Sequence, residues 1–531
     1  MQELKTIPFQ STGYFTKIIC DYLEKKESVS EFYNNFPDID GFEKQIKSKW
    51  ESFSDNSRKV LVSGLFGQYK GIEISDLTEE NIGLLKQKNT FTVTTGHQLN
   101  LFTGPLYFLY KIISTINLSS QLKKEFPDCH FVPIYWMATE DHDFEEIQYF
   151  NFKENKISWS KNSNGAVGRL SLEGLEPVLK EFSSLLGNSK NAQRLKHLFE
   201  QTYLNNHNLT DATRYLANEL FGKYGLVIID GDDPKLKNEF TPFVKKELID
   251  QISYKEVNKV IDNLGKNYKV QVNPREINLF YLKENLRERI IFENDVYKVN
   301  NTEISFTKDE ILKEVDDFPE KFSPNVLMRP LYQEVILPNL CYIGGGGEIA
   351  YWFELKKYFD TVQIPFPILL LRNSALLVAE KQKRKMDKLH ISVEDMFVKQ
   401  NELVTDKVRS ISEINIDFSE QRSQLEKMFK DLEKLSNCTD KSFLGAVKAQ
   451  EKKQLNGIDN LEKRLLKAQK RKYSEIVNRI TMLQNELFPK QSLQERQANF
   501  SQFYEAYGDD LIKELIARLD PLKLEFDVIE M

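Results

Sequence analysis

The chain has 531 residues, 40% of them hydrophobic and 12% aromatic, with a formal charge of −6. Such a composition buries a sizeable core and excludes bulk disorder, and the length fits roughly three domains or one large domain with insertions. The acidic balance argues against a general nucleic-acid binder, and no window approaches ~18 uninterrupted apolar residues, so no membrane span is expected.

The four cysteines, Cys20, Cys129, Cys341 and Cys438, are scattered and form no CxxC pair. That excludes a zinc ribbon or dithiol motif and fits a reducing, cytoplasmic compartment. The opening MQELKTIPFQ has neither the basic nor the apolar stretch of an export signal, in line with that expectation.

Residues 1–90 read as helical and mixed. Phe91-Thr92-Val93-Thr94 is β-rich and runs into Thr95-Gly96-His97-Gln98. A helix is expected over 104–124, opened by Thr103-Gly104-Pro105, with proline in the first turn. Phe131–Ala138 is a continuous apolar run of strand length, which suggests burial on both faces in a parallel sheet. It stops at Glu140-Asp141-His142-Asp143. Strand, glycine turn, helix and strand make a βαβ unit of an α/β fold.

Residues 151–210 read as a polar insertion, before a helix near 211–224 and a strand at 225–230. A second insertion spans about 240–325, where 268–306 alternates around Asn285 and Asn294 as β-hairpins do. The sheet resumes at Cys341–Ile343, followed by Gly344, Gly345, Gly346, Gly347 and Glu348, and again at 366–371, followed by Arg372-Asn373-Ser374. Cys341 reads as a buried core thiol.

From 376 to 490 the chain is rich in Lys, Glu, Gln and Leu. Ile458, Leu461, Leu465, Ala468, Ile476, Ile480, Leu483 and Leu487 trace a coiled-coil seam with an irregularity near Lys472. Two helices, roughly 392–435 (with a break near 411–419) and 440–488, are expected to form an antiparallel hairpin. Residues 491–531 are expected to return to the core, ending in a strand at 524–529.

Three polar junctions at strand ends suggest one pocket, because ligands of doubly wound sheets bind at the carboxyl ends of strands. His97 and Gln98, with the helix that follows Gly104, suit phosphate or carboxylate oxygens, although an ordinary capped βα turn reads similarly. Lys111 could face the pocket or water, and the solvated reading is the favoured one. Glu140, Asp141, His142 and Asp143 suit an amine, a metal or a general base, or else an acidic helix cap. The four glycines and Glu348 suit close approach of a nucleotide. Tyr351 lies on the helix beyond them, and Arg329 and Arg372 suit an anion clamp.

TTGHQLNLFTGPLYFLYKI at 94–112, FVPIYWMATEDHDFEEI at 131–147, MRPLYQEVILPNLCYIGGGGEIAYW at 328–352 and FPILLLRNS at 366–374 resemble the cysteine-adding ligase family of bacillithiol biosynthesis. The resemblance implies a Rossmann-like core like that of class I aminoacyl-tRNA synthetases, connecting-peptide insertions and a coiled coil linked to homodimerisation. It implies a ligase that joins cysteine to glucosaminyl-malate, with ATP as a cosubstrate and no metal. His97, Asp141, His142 and Asp143 would then be catalytic. Thr95, Gly96, Gln98, Thr103, Gly104, Glu140, Arg329, Gly344–Gly347, Glu348, Tyr351, Arg372, Asn373 and Ser374 would bind substrate or nucleotide. The class I signatures His-Ile-Gly-His and Lys-Met-Ser-Lys-Ser are absent. Two other readings stand beside it: a metal-dependent hydrolase or transferase built on residues 140–143, and an interaction protein that works through its coiled coil and has a degenerate nucleotide-binding core.

Overall fold

The computed structural model describes residues 5–161, 163–436, 438–439 and 441–531. The expected start of the second long helix, at 440, lies outside them. The described chain divides into two compact units. One is built from residues up to Leu376 together with Gln494–Val528, and the other from Leu377–Leu493 with Ile529–Met531.

The first unit is an α/β fold around five parallel strands, β1 (Thr90–His97), β2 (His130–Met137), β3 (Val227–Asp230), β4 (Asn339–Gly344) and β5 (Ile368–Leu371), in the order β5-β4-β1-β2-β3. Every residue of β1 and β4 is buried, as expected of strands covered on both faces. Pro133, which donates no ladder hydrogen bond, sits one residue before β3 begins to pair at Ile134. The edge of β2 is open there. Phe91, Val93, Leu118, Leu122, Ile343 and Ile368 pack in one cluster with Phe42 and Ile46 from the helix Ile39–Ser52. Each such side chain contributes roughly 1.5–3 kcal/mol of burial. Cys341 belongs to this cluster and is fully buried.

Four helices position the site: α1 (Tyr107–Glu125), α2 (Pro234–Asp250), α3 (Met328–Ile336) and α4 (Gly346–Phe353). α1 starts two residues after Pro105, later than the sequence pattern predicts, because Phe102, Thr103 and Gly104 all take positive φ and cannot continue a helix.

Residues 151–210 are more ordered than their polarity suggests. A hairpin, Tyr149–Phe152 with Asn155–Ser158, is followed by helices Leu175–Leu185 and Lys190–Leu204. The second insertion carries a five-stranded antiparallel sheet containing Leu279–Lys283, Leu286–Glu293 and Val296–Val299. Its hairpins turn where expected. Asn285 has φ 57°, and Asn294 and Asp295 have φ 54° and 61°, the two-residue turn that matches strand twist. The final strand, Phe526–Glu530, begins antiparallel to Lys5–Ile7.

The second unit is helical, with α5 (Gln400–Ile411), α6 (Ser419–Ser436), α7 (Lys441–Lys472) and α8 (Ser474–Leu487). Ion pairs Lys472–Glu413, Arg422–Asp459 and Lys448–Glu433 run in opposite chain directions, so the pairing is antiparallel. The helical break at 412–418 falls where the sequence predicts one. The seam differs in detail: Leu461 and Ala468 face solvent, whereas Leu455, Ile458 and Leu465 are half-buried. Apolar spacing alone does not say which of two adjacent stripes faces the partner helix.

Candidate active site

The chain leaves β1 toward β2 and leaves β4 toward β5, so strand order reverses between β1 and β4. A crevice opens at the carboxyl ends of such a strand pair. Here it holds a cavity of about 410 Å³, walled by Gly96 and His97 from β1, Lys111 from α1, Arg329 from α3, and Gly345, Gly347 and Glu348 around the start of α4.

Lys111 is buried, not solvent-facing. Its Nζ donates to the Gly96 carbonyl at 2.6 Å and to Glu348 Oε1 at 2.8 Å. Glu348 also accepts from Tyr342 Oη and, at 2.7 Å, from the Gly345 N–H. Burial alone would raise its carboxyl, but Lys111 and these donors hold it below its ordinary value. Glu348 is therefore both helix cap and counter-ion.

His97 is buried against Tyr107 and Phe108. Burial, then the nearby Lys111 charge, push its pKa down to about 3, so the imidazole is neutral. Its Nε2 is buried and has no partner among the described residues, an orphaned ring nitrogen on a residue that lines the cavity. The loop behind it is strained: Phe102 has φ 48° and Thr103 φ 68°. Its carbonyls are held by Asn499 Nδ2, which donates to Phe102 O at 2.8 Å and Gly104 O at 2.6 Å, while Phe102 N–H donates to Tyr203 Oη. Strain of this kind persists only where surrounding contacts over-determine it.

Arg329 is a half-buried cation with no carboxylate ion-pair partner among the described residues. Its Nη1 donates to Gln333 Oε1 at 3.0 Å, and its guanidinium lies over Trp136 and Tyr342. A Cβ at Gly96 would stand 3.3 Å from Tyr342 Oη, closer than ordinary contact, so the glycine leaves room for that hydroxyl. Arg372, by contrast, is neutralised by Glu495 at 2.7 Å, yet its Nε is unpartnered. Arg496 adds an exposed guanidinium to the same wall. Cations outnumber carboxylates around the cavity, which suits an anion.

A second cavity, of about 450 Å³, adjoins the first and shares Trp136, Ala138, Val326 and Arg329 with it. Glu140, Asp141 and His142 form one wall, and the second insertion forms another. The first insertion pins this junction: Val167 N–H donates to Asp141 O and Gly168 N–H to Thr139 O. A Cβ on Gly168 would stand 2.8 Å from Thr139 Cβ. Glu140 is paired with buried Lys237 of α2 at 2.6 Å, and Lys237 also meets Asp232. Asp141 Oδ2 accepts from Gln98 Nε2 at 2.8 Å. His142 Nδ1 lies 2.6 Å from Arg287 Nη1.

Of the residues singled out in the sequence, Gly96, His97, Gln98, Arg329 and Glu348, together with Gly345, Gly347, Tyr351 and Arg372, line the first cavity, and Glu140, Asp141 and His142 the second. Others lie apart from both. Thr95 Oγ1 bonds the Ile343 carbonyl between strands. Asp143 caps the short helix Phe144–Ile147. Thr103 and Gly104 belong to the strained loop. Gly344 receives the Arg372 N–H, and Gly346 faces Ile19. Asn373 and Ser374 are buried in a knot with Ser114 and Glu495. Lys237, Arg287 and Arg496 went unnoticed in the sequence, because each meets the site through an element remote in the chain.

The acidic junction does not converge on a single point. Its members are engaged by Lys237, Gln98, Arg287 and a helix N-terminus in turn, and no three His, Cys, Asp or Glu side chains among the described residues are grouped to hold a metal ion. No helix among those residues is long and apolar enough to cross a membrane.

A family model described as "Bacillithiol biosynthesis BshC, N-terminal Rossmann-like domain" matches residues 2–373, and "Bacillithiol biosynthesis BshC, C-terminal coiled-coil domain" matches residues 375–531. The chain belongs to the BshC family. Its relative from Flavobacterium johnsoniae, named "Putative cysteine ligase BshC", is 60% identical over 523 residues, covering 98% of this chain and 99% of the relative. The BshC relative of Christiangramia forsetii is 55% identical, covering 98% of each chain. That of Bacillus anthracis is 26% identical, covering 97% of each. By this membership the chain is an enzyme of the ligase class, and its Rossmann-like core with a coiled-coil domain is that of the BshC family.

Proposed function

We propose that the enzyme forms an amide bond between the carboxyl group of cysteine and the amine of glucosaminyl-malate, the last step of bacillithiol synthesis, with ATP as cosubstrate. The observation that carries this reading is the pair of adjoining cation-rich cavities with Arg329 in their common wall. A ligase of this class needs room for an anionic activating group beside room for an acceptor, with the reacting carboxyl between them.

In this reading the first cavity takes the nucleotide. A carboxylate oxygen of cysteine attacks the α-phosphorus of ATP, the bond to the β,γ-phosphates breaks, and pyrophosphate leaves. Lys111, Arg329 and Arg496 offset the charge, with the His97 and Arg372 ring and guanidinium nitrogens as added contacts. The acceptor amine then attacks the activated carbonyl from the second cavity. The carbon–oxygen bond breaks, AMP departs with its electrons, and the amine loses one proton to Asp141. Catalysis rests on positioning and charge stabilisation, with no enzyme nucleophile.

The enzyme acts in the cytoplasm as a homodimer joined through its coiled-coil unit. Free cysteines support that compartment, and the exposed apolar side chains Met428, Leu435, Leu461 and Met482 support that interface. Light scattering at micromolar concentration tests the dimer.

The decisive experiment incubates the purified protein with cysteine, glucosaminyl-malate and ATP, and identifies thiol and nucleotide products by mass spectrometry. Bacillithiol with AMP and pyrophosphate is expected, and Arg329→Met should reduce turnover by about 100-fold or more. Formation of no amide under these conditions would refute the reading.

A further inference from the structure

The second cavity contains a group of arginines that the amide chemistry does not require. Arg287 and Arg289 lie two residues apart on the strand Leu286–Glu293, so both side chains project from one face of the inserted sheet. Phe280, the cross-strand partner of Arg289, shares that face, and the Arg287 guanidinium stacks 4.0 Å from its ring centroid. Arg275, just before the neighbouring strand, lines the same cavity. Arg287 is anchored by Ser323, the Pro324 carbonyl and His142. Arg275 and Arg289 are different: both are exposed, and neither side chain has an ion-pair or hydrogen-bond partner among the described residues.

Three guanidiniums around one concavity repel one another, and the nearest carboxylates, Glu140 and Asp141, favour the charge of Arg287 only in part, since burial still outweighs them there. Glu140 is already paired with Lys237, and Asp141 is engaged by Gln98. A cluster left this way is complementary to a ligand bearing more than one negative charge. Positions two apart on a strand are separated by about 7 Å, which suits two carboxylates on a short carbon chain, each met by its own planar donor fork.

We propose that Arg275, Arg287 and Arg289 form a receptor for a dicarboxylate group on the acceptor substrate, so that the inserted sheet selects the amine by the acid attached to it. This rests on the functional reading above for its acceptor, but the receptor itself is a statement about binding. Arg287, fixed by stacking, is the rigid member, while Arg275 and Arg289 close on the ligand from solvent.

The test uses the full-length protein and Arg275→Gln/Arg289→Gln, two exposed positions whose change leaves the fold intact, with Arg289→Lys as a conservative control. L-Malate, succinate and inorganic phosphate are titrated by calorimetry, and ligation is followed with glucosaminyl-malate and with methyl glucosaminide, which lacks the acid. Malate and succinate should bind the wild type more tightly than phosphate, and the double variant should lose about 10- to 100-fold in dicarboxylate affinity. Its KM for glucosaminyl-malate should rise by a similar factor, while KM for cysteine and turnover of methyl glucosaminide stay unchanged. Lysine at 289 should restore part of the loss. If the wild type binds malate and the variant does not, yet no amide forms in either, the receptor stands and the ligase reading fails. Equal KM for glucosaminyl-malate in wild type and double variant, or phosphate binding as tight as malate, overturns the receptor.

Discussion

Arg287 Nη1 lies 2.6 Å from His142 Nδ1. A guanidinium only donates, so the imidazole nitrogen accepts and the ring proton sits on Nε2. This makes His142 an N–H donor in the cavity lining rather than the base that its place beside acidic residues suggests in the sequence. His142→Gln, which keeps a donor, should retain roughly a tenth of wild-type kcat/KM, whereas His142→Ala should lose about 100-fold. Equal loss in both variants would favour proton abstraction instead.

His97 gives the core an acid-sensitive element. Burial, reinforced by Lys111, sets its pKa at about 3 in the folded chain, against an ordinary 6.5. Between these values the unfolded chain binds a proton that the folded one refuses. The contribution is therefore complete above about pH 6.5 and fades as pH falls toward 3. On going from pH 6.5 to pH 5 the wild type should lose about 2 kcal/mol more unfolding free energy than His97→Gln, as read from urea titrations at each pH. Glu354 and Asp527, raised to about 7 by burial, act in the opposite sense in both proteins and cancel in the difference.

Lys49 and Glu334 form a fully buried ion pair at 3.2 Å, with Glu334 Oε1 also accepting from Gln333 and Asn339. Gln333 in turn holds Arg329. Lys49→Met strands a carboxylate in the core and should cost about 3–5 kcal/mol, while Lys49→Met/Glu334→Leu should recover most of it. Hydrogen exchange in β4 and α3 measures this locally.

Gly104 has φ 62° and ψ −129°, and a Cβ there would stand 2.6 Å from Asn100 Cβ. Gly104→Ala should destabilise by about 3 kcal/mol or more through strain and overpacking. Differential scanning calorimetry reads the loss, and a silent substitution would mean that the loop relaxes freely.

How much of this was legible beforehand follows from where each signal resides. The junctions at Gly96-His97, Glu140–His142 and Gly345–Glu348 announced themselves because polar residues end strands otherwise buried on both faces. The parallel core and the Asn285 and Asn294 hairpins followed from local patterning alone. Lys111 did not, since a lysine within an apolar helix reads as reaching for water, and its partner Glu348 is far away in sequence. Arg287 sat inside an alternating hairpin, where charge is ordinarily the solvent face. Asn373 and Ser374 looked available because nothing nearby in sequence reveals Ser114 or Glu495 as their partners.

Arg496 of the pocket wall, Glu495 beside Arg372 and Asn499 beneath the Phe102–Gly104 loop are made only after the helical residues Leu377–Leu493. A nascent chain on the ribosome therefore holds β1 through β5 for over a hundred codons without the residues that neutralise Arg372 and restrain the Phe102–Gly104 loop. Prematurely terminated products should be inert, and quality control falls to the very last stretch synthesised.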